Sequence, residues 1–164
     1  MAPDPDPDEP LVRRAQAGEQ DALTGVLHRY RDPVFAFVYR LLGGHANAED
    51  VAQETFVRAF QNLHRFRFQP GARFSTWLFQ LARNAALDEL RRQRRHTHHP
   101  TEAAPAEPVD TAPDAARQLM NRELGDAIAR AVATLPEDQR TALVLAEYHA
   151  LPAAEVARVL GCSV

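Results

Sequence analysis

Between Phe74 and Arg95 the apolar residues recur at a spacing that an α-helix can bury on one side. Phe74, Leu78, Leu81, Ala82 and Ala85 fall on one face at 100° per residue. A strand would scatter the same residues over both of its faces. The spacing therefore predicts an amphipathic helix whose apolar side other helices must cover. Its start is predicted at Ser75, a side chain able to accept from free first-turn N–H groups, after the loop breakers Pro70 and Gly71. The opposite side carries Gln80, Arg83, Asn84, Leu87, Arg91 and Arg94. Guanidinium groups donate in forks and amides both donate and accept, so this row suits phosphate oxygens and base edges. An arginine run is by itself no more than a solvated face. Here, however, it follows FRFQPGARF, where Phe66 and Phe68 alternate with Arg67 and Arg73, and that interleaving points to nucleic acid.

Charge distribution strengthens the point. The net charge of −3 is the balance of an acidic start, a basic middle and an acidic end. Residues 1–10 carry −4, residues 11–95 carry +6 and residues 96–164 carry −5. A basic segment between acidic flanks is a plausible polyanion-binding unit, which the mean would hide. All 19 basic residues are arginine, a bias without functional meaning. The chain's one cysteine, Cys162, excludes an intramolecular disulfide and a thiolate metal cluster and fits a reducing cytoplasm. The acidic, proline-rich start is the opposite of a secretory signal, and no run approaches a membrane span, so no membrane insertion is expected. No nucleophile-base pairing, phosphate-cradling glycine loop or metal-ligand set appears, so neither an enzyme nor a cofactor is expected.

Taken in order, residues 1–9 alternate Asp and Pro and predict a disordered acidic tail. A short helix from Pro10 ends at Gly18. A longer one runs from about Glu19 through Leu42, with Leu23, Val26, Leu27, Tyr30, Val34, Phe35, Val38 and Leu41 as its apolar face and Pro33 as a kink. Asn47 is the predicted N-cap of a third helix, buried through Ala52, Phe56, Ala59, Phe60 and Leu63 and exposing Asp50, Gln53, Glu54, Arg58 and Gln61. After the arginine-rich helix, residues 96–113 read as a proline-rich linker; His96, His98 and His99 lack partners for a tetrahedral metal site. Helical periodicity resumes at about Asp114, and Pro136 and Pro152 each open a further helix. The expectation is an all-α chain of two small helical domains, residues 10–95 and 114–164.

Three segments now coincide: NAEDVAQETFVRAF, FSTWLFQLARNAALDELRR, and LPEDQRTALVLAEYHALPAAEVARVLGCSV after the linker. Together, over roughly residues 9–95 and 115–164, they resemble a bacterial RNA polymerase sigma factor of the extracytoplasmic-function (ECF) type. The resemblance implies that the outer face from Asn47 grips core RNA polymerase, with Asp50, Gln53, Glu54 and Arg58 as contacts. It implies that the loop and helix from Phe66 to Arg95 capture the proximal promoter element as single-stranded, non-template DNA. Asn84 and the loop would read a flipped base, with Phe66 and Phe68 placed to stack; Arg67, Arg73, Gln80, Arg83, Arg91 and Arg94 would meet phosphates and edges. Trp77 and Asp88 are assigned to structure, Asp88 on the buried side. An anti-sigma factor is a further implied partner.

In that family the second domain ends in a helix-turn-helix whose last helix reads the distal promoter element. Here the chain stops at the turn, Cys162 to Val164, so a truncation before the recognition helix is expected. A sigma-like decoy that binds an anti-sigma factor without touching DNA is the competing expectation. Retention of Asn84 and the arginine row argues against it, since a decoy has no use for phosphate contacts.

Overall fold

Six helices and a short 3-10 turn account for most of the computed structural model, which describes residues 5–44, 47–69, 73–96, 124, 127–128 and 130–162. They are α1 (Glu9–Gln16), α2 (Gln20–Leu41), α3 (Ala48–Asn62), α4 (Phe74–His96), α5 (Glu137–His149) and α6 (Ala153–Leu160), with the 3-10 turn at Leu63–Arg65. Residues 130–133 are helical as well. The all-α expectation holds. The predicted linker lies outside the described residues except for its first residue, His96, which is the last residue of α4.

Helix α4 is the shared wall. It packs against α2, α3 and α6, while α1 lies on α2, and α5 packs on α2 and α6. Phe74, Leu78 and Ala82 of the predicted stripe are wholly buried and Ala85 nearly so, while Leu81 is only half-buried and Ala86, outside the prediction, is wholly buried. Leu87, placed by its angle on the outer side, is also buried. Helix α4 is contacted from three directions, so its apolar arc is wider than one stripe. The same geometry exchanges two neighbouring carboxylates: Asp88 is exposed, and Glu89 is the buried one.

Helix α2 runs unbroken through Pro33. Tyr30, Val34 and Phe37 are buried on both sides of the proline, and their packing holds the helix together across the missing N–H. Phe37, fully buried, takes the place predicted for Phe35, which is exposed and stacks on Tyr39 at 5.9 Å. Asn47 stands at the N-cap of α3 without capping it through its side chain. Its amide donates instead to Glu89 Oε1 at 2.8 Å, joining α3 to α4. Burial alone would raise the Glu89 carboxyl; hydrogen bonds from Asn47 and Gln93 and the charge of Arg92 outweigh it and hold it below the ordinary value.

Of the expected disordered tail, residues 1–4 lie outside the described residues, and two contacts correct the expectation for residues 5–9. Asp8 is buried and accepts from the Tyr30 hydroxyl and from Arg29. Asp6 accepts from the Phe74 backbone N–H at 2.6 Å. Helix α1 thus begins at Glu9, and the acidic lead-in is fastened across α2 and the start of α4. Charged groups with partners at such distances in sequence give no local signal.

The second unit does not stand apart. Buried Arg140 donates to the carbonyl of Leu41, 2.6 Å away at the end of α2, and to those of Ala133 and Leu135. His149 sits between Phe37 and Phe79, at centroid distances of 5.9 and 4.8 Å. Beyond it Ala150 takes a left-handed backbone (φ 50°), turning the chain from α5 into α6. Gly161 closes α6 in the same region (φ 73°), as its position predicts. Among the described residues no helix is long and apolar enough to cross a membrane, and no group of His, Cys, Asp and Glu is placed to hold a metal ion.

Two stability predictions follow from the docking of α5. Arg140→Met removes three charge-assisted bonds and leaves the Leu41 carbonyl unpaired, and should cost roughly 2 to 4 kcal/mol in urea unfolding. A loss within error would contradict the role given to it. Burial, aided by Arg40, lowers the His149 pKa from 6.5 to about 4. The unfolded state therefore binds the proton first, and stability falls as pH drops from 6.5 toward 4. Between about pH 7.5 and about pH 5, wild type should lose about 1 to 2 kcal/mol more than His149→Gln. Parallel losses in the two proteins would exclude His149 as the cause.

Candidate nucleic-acid interface

The start of α4 and the loop before it are built on an aromatic cluster. Phe66 is buried and meets Phe68, Phe74 and Trp77 at centroid distances of 4.9, 5.5 and 5.1 Å. Phe66 was expected to stack a base; its ring is instead spent on holding the loop to α4, because three aromatic neighbours enclose it. Trp77 belongs to the same cluster, as expected. Phe68 is half-buried, with the Arg13 guanidinium 5.3 Å from its ring centre. Its outer side remains the more accessible aromatic surface of the loop.

Two residues that no local pattern singles out fix this loop. Gln16 Nε2 donates to the carbonyls of Leu63 and Phe66, each at 2.9 Å, and Asp6 takes the Phe74 N–H. That N–H is an orphan donor of the first turn, so α4 begins at Phe74, one residue before the predicted Ser75 cap, with an acceptor supplied from the far end of the chain. Arg67 is exposed and donates to the carbonyls of His64 and Phe66. The loop centre, with Pro70 and Gly71, lies outside the described residues.

Along α4 the predicted row divides in two. Asn84 is exposed and its amide has no hydrogen-bond partner among the described residues, which leaves a donor and an acceptor side by side. Arg91 is exposed, with Asp88 at 3.4 Å. Toward the second unit, Arg83 is 2.5 Å from Asp138, Gln80 donates to the Arg158 carbonyl at 2.7 Å, and Arg73 is 3.0 Å from Glu155. Arg94, largely exposed, meets Glu137 at 2.8 Å.

On α3, Asp50, Gln53 and Glu54 are exposed as predicted. Arg58 is half-buried, bonded to Glu54 at 2.7 Å and 3.6 Å from Asp88. Gln53 also borders a groove of ≈ 700 Å³ between α2 and α3, walled by Leu27, Phe35, Phe56, Val57 and Phe60. The exposed Phe35 and Val57 beside it form a surface that helical periodicity missed, because Phe35 was counted with the buried face of α2 and Val57, off the α3 stripe, looks like noise in one dimension.

The described residues thus form a helical bundle with an arginine and amide strip along α4, joined to a compact two-helix unit. Comparison with known proteins agrees segment by segment. Residues 26–96 match the family profile of sigma-70 region 2, and residues 125–164 match that of sigma-70 region 4. The chain is 37% identical over 154 residues to the ECF RNA polymerase sigma factor BldN of Streptomyces coelicolor, covering 92% of this chain and 56% of that protein. To the ECF sigma factor SigW of Bacillus subtilis it is 30% identical over 162 residues, covering 93% of this chain and 84% of that protein. A solved structure of CnrH in complex with the cytosolic domain of CnrY superposes with a TM-score of 0.65 at 27% identity, over 95% of this chain and 84% of that one. This chain belongs to the ECF sigma factors of bacterial RNA polymerase.

The Asp6 bond is open to direct test. Asp6→Ala should destabilise the fold by about 1 kcal/mol, the usual worth of a helix cap, and should speed hydrogen exchange at the Phe74 amide. Unchanged exchange at Phe74 would show that the lead-in does not cap α4.

Proposed function

We propose that this sigma factor docks on core RNA polymerase through the outer face of α3 and captures the proximal promoter element as a single non-template strand on the loop and outer strip of α4. The observation that carries the reading is the exposed amide of Asn84, without a hydrogen-bond partner among the described residues and two turns before the exposed Arg91 on α4. An unstacked base offers donors and acceptors that such an amide can meet, and a ring such as Phe68 can stack on it, at about 1 to 3 kcal/mol per base. Holding the open strand in this way favours melting without an energy-consuming step. Arg67 and Arg91 would neutralise phosphates directly. Arg73, Gln80, Arg83 and Arg94 would do so once released from their present partners.

For the polymerase, Asp50, Gln53 and Glu54 supply an acidic and amide face, with Arg58 orienting Glu54 through their 2.7 Å bond. The adjoining groove, with Phe35 and Val57 exposed, adds apolar area suited to a helix laid along it. No cofactor or metal enters this reading. RNA synthesis is the polymerase's chemistry, so the chain acts as a specificity factor and not as an enzyme, and its place of work is the bacterial cytoplasm.

Control by an anti-sigma protein is the complementary reading, and one finding favours it: the similar chain CnrH is seen bound to the cytosolic domain of another protein, CnrY. Such a partner would compete for the same faces. A pure decoy role fits less well, because the exposed Asn84 has no partner among the described residues that would account for it.

Binding of labelled single-stranded promoter DNA to the complex of this chain with core polymerase tests the proposal. Asn84→Ala should weaken binding roughly tenfold and blur base preference, while Arg91→Ala should weaken all sequences alike and lower the salt slope by about one. Failure of wild type to hold any promoter strand with core polymerase, while it binds an anti-sigma protein, would transfer the assignment to the decoy.

A further inference from the structure

Arg13 and Gln16 lie about one turn apart on α1 and so share a face, and both reach the loop that leads into α4. Gln16 Nε2 donates at 2.9 Å to the carbonyls of Leu63, which opens the 3-10 turn, and of Phe66, which follows it. One amide therefore fixes the direction in which the chain leaves the turn. Neither carbonyl needs Gln16 to be satisfied: that of Leu63 also accepts from the Phe66 N–H at 3.1 Å, and that of Phe66 from Arg67 at 3.0 Å. A group present only to pair these carbonyls would be redundant.

Arg13 acts one step further into the loop. Its guanidinium is gripped by Glu9 at 2.6 and 2.7 Å and lies 5.3 Å from the centre of the Phe68 ring, which Phe66 meets edge-on at 4.9 Å. The two contacts together set the tilt of that ring. At the far end, Asp6 in the lead-in to α1 holds the Phe74 N–H at 2.6 Å. One N-terminal element thus grips the loop at its entry, at Phe68 and at its exit.

Resting on the reading of this loop as the seat of an unstacked base, we propose that α1 and its lead-in are the mould of the loop, and that Gln16 and Arg13 are positioning residues for base selectivity although neither touches DNA.

A loop already held in its base-accepting shape loses less conformational freedom when a strand arrives, and the gain falls on the base that fits that shape. Released from α1, the loop would adapt to more bases and hold each less well. Selectivity is a difference of affinities, so the loss belongs in the ratio between matched and mismatched strands and not in the attraction of phosphates to α4. Asp50 and Glu54 of α3 take no part in these contacts, so docking on polymerase is independent of them.

The test uses the complex of this chain with core polymerase and two single-stranded oligonucleotides, one selected from a random pool by the wild-type complex and one of the same composition in scrambled order. Gln16→Glu keeps the side-chain length and replaces the donor by an acceptor; Arg13→Gln removes the cation at an exposed position, and Arg13→Lys keeps it. Gln16→Glu should lower the matched-to-scrambled affinity ratio about tenfold and Arg13→Gln about threefold, with Arg13→Lys close to wild type. Affinity for the scrambled strand, the salt slope and affinity for polymerase should stay as in wild type. A ratio unchanged in Gln16→Glu overturns the mould and leaves the promoter reading standing, and so does equal weakening on both strands, which marks a general loss of structure. A salt slope lowered by about one in Arg13→Gln makes Arg13 a phosphate contact and overturns its positioning role. A wild-type complex that selects no sequence from the pool overturns the promoter reading and the mould with it.

Discussion

Burial of the Phe74, Leu78, Ala82 and Ala86 stripe is the interaction on which the rest of the structure depends. It fixes the rotation of α4 about its own axis, and that rotation decides which side chains face solvent. Phe74 touches the Tyr30 ring of α2, Phe66 of the loop and Trp77 of its own helix, so one side chain registers three elements at once. A substitution such as Phe74→Ala would remove about 3 to 5 kcal/mol and free the loop together with the helix. Small residues at Ala82, Ala85 and Ala86 let neighbouring helices approach closely, which explains how a 23-residue helix can be covered on several sides and still present an outer strip.

Electrostatics are layered on that frame. Near the protein's interior, carboxylates are satisfied individually: Asp8 by Tyr30 and Arg29, and Glu89 by Asn47, Gln93 and Arg92. On the outside, the basic strip of α4 is divided between solvent and the acidic second unit. The exposed pairs, such as Arg91 with Asp88, add little stability in water. Their value is positional, since they hold long side chains near where a polyanion would lie. The acids of α5 and α6 act against the same strip, which links the overall charge asymmetry of the chain to a specific contact surface.

Helix periodicity and turn chemistry disclosed most of the architecture. The α4 stripe, the exposed acids of α3, the Pro136 and Pro152 starts and the Gly161 stop were all visible locally, because each depends on neighbours within a turn or two. Phe35, Asp88 and Leu87 were placed on the wrong side because adjacent residues differ by 100° and only the tertiary neighbours of a helix decide how wide its buried arc is. Asp6, Gln16 and Arg140 were overlooked because their partners lie 68, 47 to 50 and up to 99 residues away. In the interface itself, Asn84 was legible as an outward amide, whereas the burial of Phe66 and the covering of Arg83 required the packed structure.

Held on core polymerase, α4 and its loop are proposed to recognise bases of an open strand. Selection from a random pool of single-stranded DNA by the complex of this chain with core polymerase tests it most directly. Convergence on a short motif, lost when Asn84 is replaced by alanine and absent with core polymerase alone, is the predicted result. A pool that stays random in base composition while binding the complex would contradict it, leaving α4 as a mere phosphate-binding surface.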